Sequence, residues 1–407
     1  MPTLNRREFS QLTLALGVSA RSLYGASGID EVLRTGIQRR NIPAVTATVA
    51  TAGKFTYRGA FGTRDAASGI KVTPDSIFAI ASMTKAVTSV AAMQLVEQGK
   101  VKLEEPLLKY IPEFAKLQVF DGYDSSGKPN LRPVRTPVTL QHLLTHTSGF
   151  CYDTWSEDMQ KYEKAGGAAP SGVAPLVPLM FEPGTRWQYG YGADWAGRLV
   201  EIVSGLTLEQ YFQHNILQPL GMWDTSFILP AEKFERMVSR YDRQHDGSLK
   251  EQTRELPAPP AAFNGGGGLY STASDYIRFA QMILRRGRAL NGKQILQAKT
   301  VEQMSANHIG ALTAGKMKSY TQERSSDVDV QPGATEKWGL GFLINTTPYA
   351  EGRSAGSLAW AGIWNTYYWI DPKRQICAVI MMQFLPFVDK EAVGLLGDFE
   401  RAVYAAT

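Results

Sequence analysis

The stretch Ile77-Phe78-Ala79-Ile80-Ala81-Ser82-Met83-Thr84-Lys85 joins an apolar segment to a serine and a lysine that stand three positions apart. An apolar stripe at helical spacing follows it, made of Val87, Val90, Ala91 and Leu95. Gly99 is a typical stop signal for a helix, and positions three apart lie on one helical face. The stretch therefore predicts a buried helix that begins near Ser82 and presents the Ser82 hydroxyl beside the Lys85 amine.

A hydroxyl and an amine on one helical face suit nucleophilic catalysis. A serine is a weak nucleophile until a neighbouring base removes its proton, and a desolvated lysine can act as that base. The free N–H groups and the positive dipole end of a helix N-terminus favour an oxyanion at the same place. Taken alone, the S-x-x-K spacing more often marks an N-cap serine followed by a solvated lysine.

A second candidate lies in Tyr189-Gly190-Tyr191, which follows the turn sequence Pro183-Gly184-Thr185. A phenol beside a cation has a lowered pKa and can relay the Ser82 proton to a leaving alkoxide. The simpler interpretation of Tyr189 is an aromatic anchor in the protein core. The residues around Tyr189 do not by themselves decide between the two.

In their order along the chain, four motifs resemble the signatures of serine β-lactamase-related proteins. They are Ser82-Met83-Thr84-Lys85, Leu143-Leu144-Thr145-His146-Thr147-Ser148-Gly149, the segment from Pro183 to Tyr189, and Trp360-Ala361-Gly362. The sequence is most similar to the family VIII carboxylesterases, which share the class C β-lactamase fold and are related to penicillin-binding proteins. The resemblance covers the chain from about residue 28 to the C-terminus.

This resemblance implies a role for each matching position. Ser82 matches the acylated nucleophile, Lys85 its partner and Tyr189 the tyrosine that assists proton transfer. Trp360-Ala361-Gly362 takes the place of the Lys-Thr-Gly triad of β-lactamases, and the backbone N–H groups of Ser82 and Ile363 are implied as the oxyanion hole. Which of Lys85 and Tyr189 is the base stays open, because the two groups titrate as a pair.

Two departures from the β-lactamase pattern bear on the substrate. Trp360 replaces the cation that binds a β-lactam carboxylate, and Tyr191 replaces the asparagine that binds the amide of the substrate side chain. Each lost polar contact is worth about 1–3 kcal/mol when buried, whereas the two rings offer apolar area. We expect the substrate to contact Tyr191, Trp360, Ala361 and Gly362. The sequence predicts a serine carboxylesterase that hydrolyses small, short-chain neutral esters, with weak hydrolysis of β-lactams.

Three alternatives stay open. An acyltransferase of the same fold would pass the acyl group to an alcohol instead of water. A β-lactamase or D-amino-acid peptidase is disfavoured by Trp360 and Tyr191. A catalytically silent, peptide-binding relative is disfavoured because Ser82, Lys85 and Tyr189 are all present.

Apolar alternation near both ends of the chain predicts strands, and a Pro- and Gly-rich middle separates them. The predicted strands cover 44–50, 55–61, 338–344, 365–370 and 376–383. The expected fold class is α+β and class C β-lactamase-like, with an antiparallel sheet flanked by helices and an inserted, mostly helical lobe. We assign residues 1–24 to an N-terminal segment, 25–104 plus 266–407 to the sheet domain and 105–265 to the lobe.

The pentapeptide Gly352-Arg353-Ser354-Ala355-Gly356 matches the G-x-S-x-G nucleophile elbow, which requires a strand before the serine and a helix after it. Residues 357–368 are instead typical of a turn and a strand, so we expect Ser354 to lie in a surface turn. Asn264-Gly265-Gly266-Gly267-Gly268 lacks the spacing of a phosphate loop. We expect this glycine run to let the backbone pass close to the catalytic helix.

His142 and His146 stand four apart, a spacing that can bind zinc on one helical face. The sequence has no H-E-x-x-H. His146 lies within the motif that begins at Leu143, and His142 directly precedes that motif, so a structural role is favoured for both histidines. Several aromatic residues are candidates for the lining of the substrate cleft: Phe120, Tyr123, Phe150, Tyr152, Trp155, Trp360 and Trp364.

Composition excludes some classes of partner. The 407 residues carry 43 Lys plus Arg against 38 Asp plus Glu, without a basic run of the kind that tracks phosphates. Cys151 and Cys377 lack metal-ligand spacing, and no apolar run reaches the roughly 18 residues of a membrane-spanning helix. We expect a small-molecule ester as ligand, with no cofactor, metal, nucleic acid or membrane insertion; the sequence does not indicate an oligomeric state.

The first residues include Asn5-Arg6-Arg7-Glu8-Phe9 ahead of a short apolar stretch. This arrangement is typical of a twin-arginine export signal. It is equally consistent with a basic N-terminus that stays on the protein. The first interpretation predicts a periplasmic or secreted protein, and the second a cytoplasmic one.

Overall fold

A computed structural model describes residues 28–167, 172–329 and 333–407. The twin-arginine pattern at residues 5–9 lies outside these ranges. The helices are α1 (28–39), α2 (Thr84–Glu97), α3 (Leu140–Leu144), α4 (Glu157–Lys164), α5 (Gly192–Ser204), α6 (Leu208–Phe212), α7 (Gln218–Leu220), α8 (Ala231–Phe234), α9 (Ala273–Leu284), α10 (Ala298–Met304) and α11 (Lys390–Ala405). No helix in these ranges has the length and apolar character needed to cross a membrane.

The main sheet is antiparallel and takes its strands from both ends of the chain. In chain order they are β1 (Ala44–Thr51), β2 (Phe55–Gly62), β3 (Lys337–Trp338), β4 (Leu343–Ile344), β5 (Leu358–Gly362), β6 (Thr366–Asp371) and β7 (Ile376–Met381). Their spatial order is β3-β4-β5-β6-β7-β1-β2. The central pairing of β1 with β7 aligns Thr46 with Met381. The α+β, β-lactamase-like fold class predicted from the sequence is confirmed.

Helices cover both faces of this sheet. On one face α9 packs against β1, β6 and β7, and α2 packs against α5. On the other face Phe399 of α11 contacts Trp369 of β6, with ring centroids 5.6 Å apart. The Tyr57 hydroxyl donates to the Asp30 carboxylate at 2.7 Å, which ties β2 to α1. Strands β1, β5, β6 and β7 are buried almost throughout because both of their faces are covered.

The segment between β2 and α9 holds helices α2 to α8, and small β-ribbons lie outside the main sheet. The ribbons pair Gln118–Tyr123 with Pro129–Pro133, and Tyr241–Arg243 with Leu249–Glu251 and Phe384–Leu385. Two further pairs join Phe78–Ala79 to Tyr270–Ser271 and Lys316–Met317 to Val328–Asp329. Short 3₁₀ turns cover Ala81–Met83, Leu107–Lys109, Pro112–Lys116 and Asp153–Trp155, and a π-helical turn covers Gln213–Leu217.

One predicted strand is wrong. The sequence indicates a single strand over 338–344, whereas the structure has a tight hairpin in which Lys337–Trp338 pairs with Leu343–Ile344. The turn passes through Gly341, which has φ of 100° and lies against the Ser89 side chain. Apolar residues in the turn mimic a continuous strand, but this backbone conformation ends the extended run.

Candidate active site

The turn that carries Ser82 is fixed from three directions. Ser82 lies in the 3₁₀ turn Ala81–Met83, and α2 begins at the next residue. The strand Phe78–Ala79 pairs with Tyr270–Ser271 just before this turn, and the Tyr276 hydroxyl donates to the Met83 carbonyl at 2.8 Å. Ala81 has φ of 43°, a backbone region that costs a residue with a side chain about 1 kcal/mol or more. The sequence therefore holds Ser82 in a strained, anchored turn.

The structure brings Ser82 and Lys85 together as the spacing predicts. Lys85 Nζ donates to Ser82 Oγ at 3.2 Å, to Tyr152 Oη at 3.1 Å and to the Gly266 carbonyl at 2.6 Å. Lys85 is only 2% exposed, whereas Ser82 is half-buried. The amine thus lies in the protein interior while the hydroxyl beside it stays within reach of a substrate.

Tyr189 lies at the site, but its hydroxyl has a different partner from the one predicted. The Tyr189 ring centroid is 4.7 Å from Lys85 Nζ. Its hydroxyl accepts a hydrogen bond from the Trp360 indole Nε1 at 3.0 Å. Within the described ranges the phenol that is hydrogen bonded to Lys85 belongs to Tyr152, and the rings of Tyr152 and Tyr189 are 5.5 Å apart. Two tyrosines therefore flank the amine where sequence reasoning placed one.

The strand β5 carries the Trp360-Ala361-Gly362 segment alongside the turn that holds Ser82. A Cβ atom on Gly362 would overlap the Ile80 carbonyl oxygen and the Thr366 hydroxyl, so only glycine allows this close approach. In the described part of the chain, neither the N–H of Ser82 nor that of Ile363 donates to a protein acceptor. Both are half-buried donors, one in the turn before α2 and one at the end of β5, the positions that the sequence predicts for an oxyanion hole.

Tyr191, the other predicted substrate contact, is half-buried at the N-terminus of α5. Its ring meets that of Tyr152 edge to face, with centroids 4.3 Å apart. Burial and the nearby carboxylates of Asp153, Glu163 and Asp194 raise the Tyr191 pKa above its ordinary value. Tyr191 is therefore an uncharged aromatic residue of the site, as Trp360 is.

Sequence reasoning missed a buried carboxylate behind the lysine. Asp194, in the first turn of α5, accepts from the Tyr152 hydroxyl at 3.2 Å and from the Gly266 N–H at 3.2 Å. Burial raises the Asp194 pKa to about 6, against the opposing effect of Lys85. Burial and the Asp194 charge together raise the Tyr152 pKa well above its ordinary value. In the sequence, the only sign that Asp194 belongs to the site is its position five residues after Tyr189.

The glycine run is explained by this carboxylate and by helix α2. A Cβ atom on Gly266 would lie 2.7 Å from Asp194 Oδ1 and closer still to Oδ2. The Thr88 hydroxyl of α2 donates to the Gly265 carbonyl at 2.6 Å. The expectation that the run lets the backbone pass close to the catalytic helix is confirmed.

The competing motifs take structural positions. Ser354 lies in a turn, its N–H donating to Asp371 at 2.9 Å, and strand β5 follows it where the nucleophile elbow requires a helix. His142 completes a capping box at the start of α3. His146 lies beyond the end of α3, and burial together with Lys85 holds its pKa well below the ordinary value. The two rings do not share a helical face.

The predicted aromatic lining divides into two groups. Tyr152, Trp155 and Trp360 surround Tyr189, with centroids within 5.0–5.5 Å. The other candidates have different neighbours: Phe120 packs on Tyr123, Phe150 on Trp195, and Trp364 stacks under Arg240.

A serine in the turn before a buried helix, a lysine in the first turn of that helix and a neighbouring antiparallel strand that ends in glycine are typical of the serine β-lactamase and penicillin-binding protein class. The chain belongs to the Beta-lactamase family, whose model matches residues 29–398. The fold and site thus agree with the sequence resemblance at the level of this superfamily.

Relatives with more specific names span nearly the whole chain. A monacolin J acid methylbutanoyltransferase of Aspergillus terreus is 31% identical over 401 residues, covering 93% of this chain and 95% of the relative. A lovastatin esterase of Penicillium rubens is 30% identical over 379 residues, with 89% and 94% covered. A mutant simvastatin synthase from Aspergillus terreus is similar in structure, with a TM-score of 0.80, 30% identity, and 93% and 96% of the two chains covered.

Proposed function

We propose that the protein is a serine carboxylesterase of the family VIII type that hydrolyses small, neutral, short-chain esters. The observation that carries the proposal is the 3.2 Å hydrogen bond between the buried Lys85 amine and the half-buried Ser82 hydroxyl. Ser82 Oγ attacks the ester carbonyl, and its proton passes to the Lys85 and Tyr189 pair and then to the leaving alcohol. The free N–H groups of Ser82 and Ile363 bind the oxyanion, and water releases the acyl group.

The preference for a neutral ester rests on Trp360. Its indole N–H is already donated to Tyr189, so at this position β5 offers a substrate carboxylate neither a cation nor a spare donor. Binding a carboxylate against the ring would leave a buried charge without a partner, which is strongly unfavourable. Weak hydrolysis of β-lactams follows from the same acylation chemistry.

An acyltransferase is the second candidate, in which an alcohol instead of water accepts the acyl group. It is favoured by the relatives, which include a methylbutanoyltransferase and a simvastatin synthase as well as an esterase. Both activities proceed through the same acyl-enzyme on Ser82, so they differ only in the nucleophile of the second step.

Turnover of p-nitrophenyl butyrate, compared with nitrocefin and with butyrate transfer to an added alcohol, tests the proposal. Ser82→Ala is expected to abolish turnover and labelling by a fluorophosphonate, while Ser354→Ala, a serine in a turn, leaves both nearly unchanged. Faster turnover of nitrocefin than of the butyrate ester would contradict the esterase assignment. Ester formation that exceeds hydrolysis at low alcohol concentration would favour the acyltransferase instead.

A further inference from the structure

The Lys85 amine makes three hydrogen bonds, which is the number of hydrogens on an ammonium group. Its partners are Ser82 Oγ, Tyr152 Oη and the Gly266 carbonyl oxygen. The Gly266 carbonyl can only accept, so it takes one hydrogen permanently. With all three hydrogens donated, Lys85 has no lone pair for the Ser82 proton, and it must lose a proton before it can act as a base.

Among the described residues, one buried route is open to that proton. Lys85 Nζ donates to Tyr152 Oη at 3.1 Å, and Tyr152 Oη donates its own hydrogen to Asp194 Oδ2 at 3.2 Å. Lys85, Tyr152 and Asp194 lie on three different segments, namely α2, the loop before the 3₁₀ turn Asp153–Trp155, and α5. Their polar atoms nevertheless form a continuous chain that ends at a carboxylate.

We propose that Tyr152 and Asp194 form a proton relay that sets the charge of Lys85, so that both are positioning residues for the nucleophile. In the transfer, the Nζ–H bond of Lys85 breaks and a new O–H bond forms at Tyr152. The original Tyr152 O–H bond breaks and an O–H bond forms at Asp194 Oδ2. The products are an amine, a phenol and a carboxylic acid, and no other reactant is needed. The relay rests on the proposed acyl-enzyme chemistry of Ser82.

Burial of Asp194 favours the protonated end of the relay. Removing a carboxylate from water disfavours its charged form, which lowers the cost of placing a proton on Asp194. Lys85 and Asp194 are 2% and 3% exposed. The raised pKa of Asp194, about 6, is consistent with a carboxylate that accepts a proton readily. The transfer leaves the lone pair of the amine facing Tyr152, and rotation about the Cε–Nζ bond then turns it to the Ser82 hydroxyl while the two remaining hydrogens are donated to Gly266 and Tyr152.

The other titratable groups around the relay leave Asp194 as its acceptor. The Tyr189 and Tyr191 rings flank Tyr152, but within the described residues neither hydroxyl is hydrogen bonded to Lys85, Tyr152 or Asp194. His146 faces the amine, but burial and Lys85 hold its pKa well below the ordinary value, so it stays neutral. The carboxylates of Asp153 and Glu163 act on Tyr191 from farther out and are not hydrogen bonded to Tyr152 or Lys85 within the described residues.

The relay is tested with Asp194→Asn, Tyr152→Phe and the double variant, each compared with the wild-type protein. Asp275→Asn is the matched control, because Asp275 is also buried with a pKa raised to about 6 but instead accepts from Asp224 and Thr225. The measurements are kcat and KM for p-nitrophenyl butyrate and the rate of fluorophosphonate labelling, from pH 5 to pH 9. Circular dichroism and thermal unfolding verify that each variant is folded.

Wild type and Asp275→Asn are expected to lose activity as the pH falls through about 6, because Asp194 is then already protonated. Asp194→Asn and Tyr152→Phe should each lower kcat about 10²-fold or more with little change in KM, and Asp194→Asn should move the acidic limb away from pH 6. The double variant should be no slower than the slower single variant, since both residues act in one pathway.

Two results would overturn the relay while leaving the proposed function intact: an Asp194→Asn enzyme whose acidic limb stays at the wild-type pH, or single losses that multiply in the double variant. A wild-type protein that is not labelled at Ser82 would overturn the proposed function and the relay together.

Discussion

Replacing Gly362 by alanine tests whether the close approach of β5 to the nucleophile turn matters for catalysis. The added Cβ would overlap the Ile80 carbonyl oxygen and the Thr366 hydroxyl, and would lie 3.1 Å from the Ile80 carbonyl carbon. Thr366 can rotate its side chain, but the Ile80 carbonyl belongs to the backbone that leads into Ser82. Relief therefore requires about 1 Å of separation between β5 and this turn, an overpacking change that costs about 1–3 kcal/mol.

The same displacement separates the N–H groups of Ser82 and Ile363, which we propose as the oxyanion hole. Loss of one such donor typically lowers kcat about 10²- to 10³-fold. We expect Gly362→Ala to destabilise the protein modestly and to lower kcat within that range, with KM less affected. Ile363→Pro, which deletes one donor outright, should give a similar or larger loss.

The assay compares ester hydrolysis and urea unfolding for Gly362→Ala, Gly53→Ala and wild type. Gly53, in the turn between β1 and β2, is the control because a Cβ there meets no atom within 4 Å. Wild-type kcat and stability in Gly362→Ala would refute the reasoning, since a tightly apposed strand cannot absorb a methyl group without effect. A loss of stability with unchanged kcat would retain the steric argument and reject the oxyanion role.

Two further predictions concern buried pairs. Trp360→Phe removes the indole donor to Tyr189, so unfolding in urea should show a loss of about 1–3 kcal/mol from the hydroxyl left without it, and an unchanged midpoint would contradict this contact. Glu400 and Arg353 form an ion pair with two hydrogen bonds, and their side chains are 7% and 6% exposed. Glu400→Gln should lower the free energy of unfolding by about 3–5 kcal/mol, because the buried guanidinium loses its counter-charge. A destabilisation below 1 kcal/mol for Glu400→Gln would mean that water reaches this pair.

The sequence predicts features that depend on local spacing. Ser82 and Lys85 pair because residues three apart share a helical face, and the position of the strand after Ser354 excludes a nucleophile elbow. The partnership of Tyr152 with Asp194 could not be predicted, because it depends on how the loop at 152 and helix α5 pack. Asp194 has the ordinary appearance of an acidic residue in the first turn of a helix, where a negative charge is favourable.

The same limit explains the hydroxyl partner of Tyr189 and the hairpin at 337–344. The sequence resemblance implies that Tyr189 assists proton transfer, but it does not reveal that the Tyr189 hydroxyl accepts a hydrogen bond from Trp360 on β5. In the hairpin, the apolar residues around Gly341 follow the alternation of a strand, and only the positive φ of that glycine reveals the turn. Tertiary contacts, and not local pattern, decide both cases.

The pairing of β1 with β7 also affects how the chain folds during synthesis on the ribosome. Thr46 aligns with Met381, so the hairpin β1–β2 emerges from the ribosome long before its inner neighbour exists. Until the last strands are synthesised, β1 exposes an unsatisfied row of N–H and C=O groups, which invites association between nascent chains. Such distant pairings also slow folding. Truncations near the C-terminus should therefore reduce the soluble yield of the protein far more than the number of removed residues suggests.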